Sequence, residues 1–184
     1  MTIAESYASL ARMLEYPEKK ELLMAASDAV RSFLRKHDKE AILDPFAEFV
    51  ATSTLEELQE DFVATFDFNP AVAPYLGHHL YGDNQKKGAY MIRLKQEFGR
   101  YGFTPKGNEL PDHLPLILGF LAHLARNEEK GTRQSLIADC VLPGVQRLNS
   151  GFASRQDSPW KPVVEAARIL CAADIEACEE VQPC

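Results

Sequence analysis

A chain of 184 residues, 46% hydrophobic and 26% charged, can bury about 70% of its unfolded surface and needs no disulfide or metal staple. Its formal net charge of −7 argues against nucleic acid and anionic membrane as partners and suits a cationic peptide better. No stretch reaches the roughly 18 uninterrupted apolar residues of a membrane span, and Met1-Thr2-Ile3-Ala4-Glu5 lacks an export signal's basic and apolar regions. A cytoplasmic chain without stable membrane insertion is therefore expected.

Apolar residues recur at helical spacing almost throughout, and no segment alternates with period two. This predicts an all-α protein, organised as one domain over residues 1–184. The first helix runs from about Ile3 to Glu15, with Thr2 and Glu5 as a capping box and Pro17 closing it. A second, from about Glu18 to His37, buries Leu22, Ala26, Val30, Phe33 and Leu34. A short third has Asp44 as its cap and Pro45 at its first position, with Phe46, Phe49 and Val50 inward.

Ser53 with Glu56, or Thr54 with Glu57, offers a capping box for a helix carrying Leu55, Leu58, Phe62 and Phe66. Asp67-Phe68-Asn69-Pro70 is a break, Tyr75 to Tyr81 a short helix, and Asp83 starts a long helix that buries Met91, Leu94 and Phe98. The loop from Gly102 to Pro111, with two Gly and two Pro, is the best internal hinge candidate and a possible route to helix exchange. The chain is thus read as a monomer or homodimer. A strongly apolar helix follows from Pro111 to about Asn127. Thr132 caps the next one, Pro143 kinks or breaks it, and Ser158 with Pro159 starts the last.

Cys140, Cys171, Cys178 and Cys184 include no CxxC pair, so they read as buried thiols plus one free tail thiol. Met13, Met24 and Met91 read as core filler. Glu109-Leu110-Pro111-Asp112-His113-Leu114-Pro115 is the most informative polar stretch, set between a Gly/Pro-rich loop and the most apolar helix. Asp112 is placed to accept from free backbone N–H groups at that helix's start, with His113 half-buried. One of His78 and His79 turns inward and the other faces solvent.

A metal-dependent hydrolase using His78, His79, Asp112 and His113 is the alternative. However, the order Asp-His is the reverse of that of the all-helical His-Asp phosphohydrolases, and adjacent helical residues diverge by about 100°. No nucleophile elbow or phosphate-binding glycine loop occurs. A non-enzyme is expected, with no metal and no cofactor.

The runs Phe62-Val63-Ala64-Thr65-Phe66-Asp67, Tyr75 to Asp83, Gly88, and Glu109 to Pro115 with Phe120-Leu121-Ala122 together resemble the nitrate reductase molybdenum-cofactor assembly chaperones. These are the delta-subunit branch of the redox-enzyme maturation chaperones. Leu14-Glu15-Tyr16-Pro17 adds a weaker match. The likeness covers about residues 60 to 125 and is most specific in Glu109 to Pro115. Where family members often carry an acid, this chain has Gly77 and Gly119.

The resemblance implies a helical bundle that holds the apo catalytic subunit of a molybdoenzyme, with respiratory nitrate reductase as the expected client, until the cofactor is inserted. Binding of that subunit's N-terminal leader is part of this task. By matched position the resemblance implies peptide-binding roles for Glu109, Asp112 and His113, with Tyr75, His79 and Tyr81 as neighbours.

Overall fold

Helix α1, Ile3–Met13, starts at the expected capping box: Thr2 Oγ1 accepts from the Glu5 N–H at 3.2 Å, and the Glu5 carboxylate accepts from the Thr2 N–H at 2.7 Å. The computed structural model describes residues 1–105 and 107–176, and among these there is no strand. The all-α expectation therefore holds. Helix α2, Lys20–Leu34, starts later than expected and continues into a 3-10 turn, Arg35–His37. Its buried face is Leu23, Ala26, Ser27, Val30 and Leu34, whereas Leu22 and Met24 face solvent. The doublet Leu22-Leu23 fits either face by spacing, and packing selects Leu23.

Helix α3, Asp44–Thr52, has Pro45 in its first turn, but Asp44 pairs with Arg31 at 2.7 Å rather than capping. Helix α4, Leu55–Phe66, uses the box of Thr54 and Glu57 and not that of Ser53 and Glu56. Helix α5, Leu76–Tyr81, is one short stretch, and α6, Gln85–Arg100, is capped by Asn84 where Asp83 was expected. Tyr90, Leu94 and Phe98 form the buried side of α6, and Met91 is only half-buried. After α6, Gly102 takes φ +66 and the Phe103 N–H donates to the Phe98 carbonyl at 2.8 Å, which closes the helix end.

Helix α7, Leu114–Arg126, begins three residues beyond the expected Pro111, and α8 spans Lys130–Leu136. Thr132 lies inside α8, where its hydroxyl bonds the Tyr101 hydroxyl at 2.6 Å instead of capping. Pro143 does not stop the helical run. A π turn at Ile137–Val141 leads into α9, Leu142–Gly151, and its shifted hydrogen-bond register accommodates a proline without the usual clash. The last described helix, α10, is Lys161–Glu176, starting after the turn that holds Ser158 and Pro159. Cys140 and Cys171 are buried as expected, while Cys178 and Cys184 lie outside the described residues.

Helix α1 lies against α7 and α2, α10 against α1 and α9, and α5 contacts α6 and α9. Trp160, fully buried, anchors an aromatic cluster with Phe46, Phe62 and Phe66, and its Nε1–H donates to Asp61 at 2.8 Å. Asp61, half-buried on α4, thus supplies the acceptor for the core tryptophan. On the far side, Arg133 donates two bonds to Asp174, at 2.7 and 2.9 Å, and the Tyr7 hydroxyl donates a third at 2.8 Å. This buried triad joins α8, α10 and α1. No described helix is long and apolar enough to cross a membrane.

Candidate functional site

The segment before α7 is held by a segment before α5. Leu114 N–H donates to the Pro74 carbonyl at 2.7 Å and Leu76 N–H to the Asp112 carbonyl at 2.9 Å, an antiparallel bridge centred on Tyr75 and His113. The Asp112 carboxylate then accepts from the Gly77 N–H at 3.0 Å. Asp112 therefore caps α5, 35 residues earlier in the chain, and not α7 as expected from its position. It is 0% exposed. Gly77 permits this approach, since a Cβ there would lie 2.7 Å from Asp112 Oδ2. Burial pushes the Asp112 carboxyl above the usual carboxylate range, against the pull of the Gly77 N–H. Asp112→Ala is expected to lower stability by about 1 kcal/mol in chemical denaturation. Asp112→Asn retains most of it, because an amide oxygen still accepts from Gly77.

Tyr75 and Glu109 meet at the surface of this pairing: the Tyr75 hydroxyl donates to Glu109 Oε2 at 3.1 Å, and the Tyr75 ring lies 5.1 Å from the His113 ring. Burial, with the Glu109 charge beside it, pushes the Tyr75 phenol up to about 12, so it stays a donor at neutral pH. Burial also pushes His113 below the ordinary imidazole value, against the pull of Glu109 and Asp112. His79 turns inward and its Nε2–H donates to the Ala73 carbonyl at 2.7 Å, with burial lowering its pKa as well. His78 is half-exposed, and Tyr81 packs on Tyr90 with ring centres 5.5 Å apart.

The fold therefore favours neutral rings at both His79 and His113. The stability they contribute is present above about pH 6.5 and falls as pH drops through that value. Asp112, whose carboxyl is raised, acts in the opposite sense. The thermal midpoint is expected to fall between pH 7.5 and 5.5, and to fall less in a His79→Gln, His113→Gln variant, as read by calorimetry.

Beside this pairing, a groove of about 350 Å³ runs between α1 and α7. Ala8 and Ala11 of α1 and Leu116, Gly119 and Ala122 of α7 line it, with Phe103 from the loop after α6. The sequence of α7 is apolar on nearly every side. Its neighbours cover most of that surface but leave the line Leu116, Gly119, His123 and Arg126 incompletely covered. The groove exists because the side chains there are small: a Cβ at Gly119 would meet only Phe103, at 3.7 Å. Its polar rim is balanced, with Arg12 and Arg126 beside Glu15 and Glu109. Phe103 is wedged against Phe98 and Phe120, and His123 Nε2 bonds the Tyr101 carbonyl at 2.7 Å, so the start of the expected hinge is anchored.

The residues expected to bind peptide thus divide. Glu109 and His113 line the groove; Tyr75 touches both; Asp112, His79 and Tyr81 stand behind them. The residues missed from sequence are the small ones, Ala8, Ala11 and Ala122. Their signal was a run of short side chains on two helices, which reads equally as close packing. The hydrolase alternative is not supported. His79 and Asp112 are committed to backbone partners, and among the described residues no three His, Cys, Asp or Glu are grouped to hold a metal ion.

The chain is similar in sequence to nitrate reductase assembly chaperones and in fold to a redox enzyme maturation protein. It is 30% identical over 120 residues, 64% of its length, to the probable nitrate reductase molybdenum cofactor assembly chaperone NarJ of Bacillus subtilis (strain 168). It is 31% identical over 123 residues, 65% of its length, to the chaperone NarJ of Escherichia coli (strain K12). NarW of Escherichia coli (strain K12), described as a probable chaperone of the same kind, is 24% identical over 165 residues, covering 90% of this chain and 67% of NarW. The matches cover 64% and 52% of the two NarJ proteins, so the chain spans between about half and two thirds of those relatives.

A crystal structure from Archaeoglobus fulgidus, provisionally described as a redox enzyme maturation protein, superposes with a TM-score of 0.57 at 18% identity, covering 96% of this chain and 93% of that one. That likeness supports the fold. The family model for the nitrate reductase delta subunit matches residues 37–165, most of the chain and all of the α5 and α7 pairing. The chain belongs to the nitrate reductase delta subunit family.

Proposed function

We propose that this protein is a cytoplasmic assembly chaperone, without turnover of its own, that holds the cofactor-free catalytic subunit of a molybdoenzyme by its N-terminal leader and supports molybdenum cofactor insertion. Nitrate reductase is the client named in the relatives' descriptions, and the respiratory enzyme is the one this proposal takes for the chain. The observation that carries the reading is the juxtaposition of Glu109 and His113 with an apolar groove lined by small residues. Such a groove accepts foreign side chains because the protein's own do not fill it.

In this reading Glu109 and His113 contact the leader, and Tyr75 orients Glu109. Asp112 and His79 hold the α5 segment against the α7 segment, with Tyr81 packed behind. Each buried apolar anchor contributes about 2 kcal/mol, while ordering the segment costs about 2–5 kcal/mol. A few anchors then give micromolar or weaker affinity, which permits release once the client is complete. The test is affinity purification of the tagged chain from its host, followed by mass spectrometry and metal analysis of the captured subunit. Capture of a molybdoenzyme catalytic subunit lacking molybdenum is expected. Capture of only the mature enzyme, or of no oxidoreductase, contradicts the proposal.

A further inference from the structure

The groove is continuous with a second concave surface at the far end of α1. Arg12 and Glu15 line both the groove and a hollow around Tyr16 and Pro17, and Tyr16 in turn lines a shallow depression on α4. That depression is floored by Val63 and Ala64 and flanked by Glu56 and Glu60. Two aromatic rings stand over it in solvent: Phe68 is 80% exposed and Tyr16 51%. Tyr16 is held edge-on against Phe62, with ring centres 5.9 Å apart, and Gln59 Nε2 donates to the Pro17 carbonyl at 2.7 Å. The tilt of Tyr16 is therefore set by the segment after α1, which rests on α4 through these contacts.

Charge distinguishes this depression from the groove. The groove rim carries two Arg and two Glu, whereas the described residues lining the depression include two carboxylates and no cation. An exposed Phe beside an exposed Tyr offers apolar contact and ring faces to an alkyl or cationic side chain. Uncompensated carboxylates disfavour an acidic partner and steer a basic one.

We infer that Tyr16, Phe68, Glu56 and Glu60 form a second docking patch for a cationic, apolar-studded peptide segment, which is the continuation of the segment held in the α1–α7 groove. The inference rests on the peptide-binding reading of that groove. It adds a requirement on the client: an apolar stretch joined to a stretch bearing Lys or Arg among bulky apolar residues. Two modest sites linked in one peptide give an affinity neither gives alone, because the second contact forms within the complex.

The test uses the full chain and four synthetic peptides: a neutral Leu/Ala-rich segment, a Lys/Leu-rich segment, and the two joined in each order, titrated by fluorescence anisotropy. One joined order is expected to bind at least about tenfold tighter than the neutral segment alone. A Phe68→Ser, Glu60→Lys variant abolishes that gain while leaving the neutral segment's affinity unchanged. Both positions are exposed, so circular dichroism should match wild type. Binding of the Lys/Leu segment should also weaken with added salt. A joined peptide that binds no tighter than the neutral segment, or a gain that survives in the variant, overturns the patch. Failure of the neutral segment to bind counts against the groove reading instead, and the patch then stands or falls on whether the Lys/Leu segment loses affinity in the variant.

Discussion

Asp174→Ala is expected to destabilise the protein by about 3–5 kcal/mol, the largest single-residue effect the structure offers. Asp174 accepts from Arg133 at 2.7 and 2.9 Å and from Tyr7 at 2.8 Å, and the side chains of the ion pair are only 7% and 4% exposed. Removing the carboxylate leaves a guanidinium and a phenol buried without their acceptor, which costs far more than the net worth of the pair. Because the triad joins α1, α8 and α10, the loss loosens α1 and with it one wall of the groove. The thermal midpoint should fall by roughly 10 °C for a chain of this size. A Tyr7→Phe, Arg133→Met, Asp174→Leu variant should recover most of that loss, since it removes the buried charges together. Equal destabilisation of both variants would show that shape, and not desolvated charge, governs this part of the core.

The largest functional effect is expected at Gly119. A Trp there projects into the groove, where the only atom within 4 Å of a new Cβ is Phe103 Cζ at 3.7 Å, and it replaces a glycine that costs a helix interior about 1 kcal/mol relative to alanine. Gly119→Trp should therefore keep or slightly raise the thermal midpoint while weakening leader binding at least about tenfold, as isothermal titration would show. Gly119→Ala is the matched control, with a gain of up to about 1 kcal/mol in stability and unchanged binding. A Trp variant that binds as wild type would remove the groove from the binding surface.

The reason the two capping boxes at Thr2 and Thr54 were legible in the sequence is that both partners lie within one turn and satisfy each other locally. The punctuation by Gly102 was legible for the same reason, as was the pull of Pro45 towards a helix start. Asp112 was not. Its position just before α7 reads as a cap for that helix, yet tertiary pairing turns its carboxylate onto Gly77 of another. Gly77 in turn stands where the resemblance leads one to expect an acid, and the 2.7 Å that would separate a Cβ there from Asp112 Oδ2 explains the glycine.

Pro143 reads as a kink or a break because spacing alone does not reveal a π turn two residues upstream. The buried pairing of Arg133 with Asp174 spans 41 residues and leaves no local trace. As for the site, the motif Glu109 to Pro115 marked its edge. Its floor was hidden because it consists of missing side-chain volume at Ala8, Ala11 and Gly119.

The proposed function requires a client segment to lie in the groove between α1 and α7. Photo-crosslinking tests it directly, with a photoreactive residue at Leu116 in the groove lining and a control at exposed Lys36 after α2. With the cofactor-free catalytic subunit bound, crosslinks from position 116 should map to that subunit's first residues, and position 36 should give none. A stable complex that crosslinks from position 36 but not from 116, or from 116 only to a region remote from the leader, would rule out the groove as the leader's binding site.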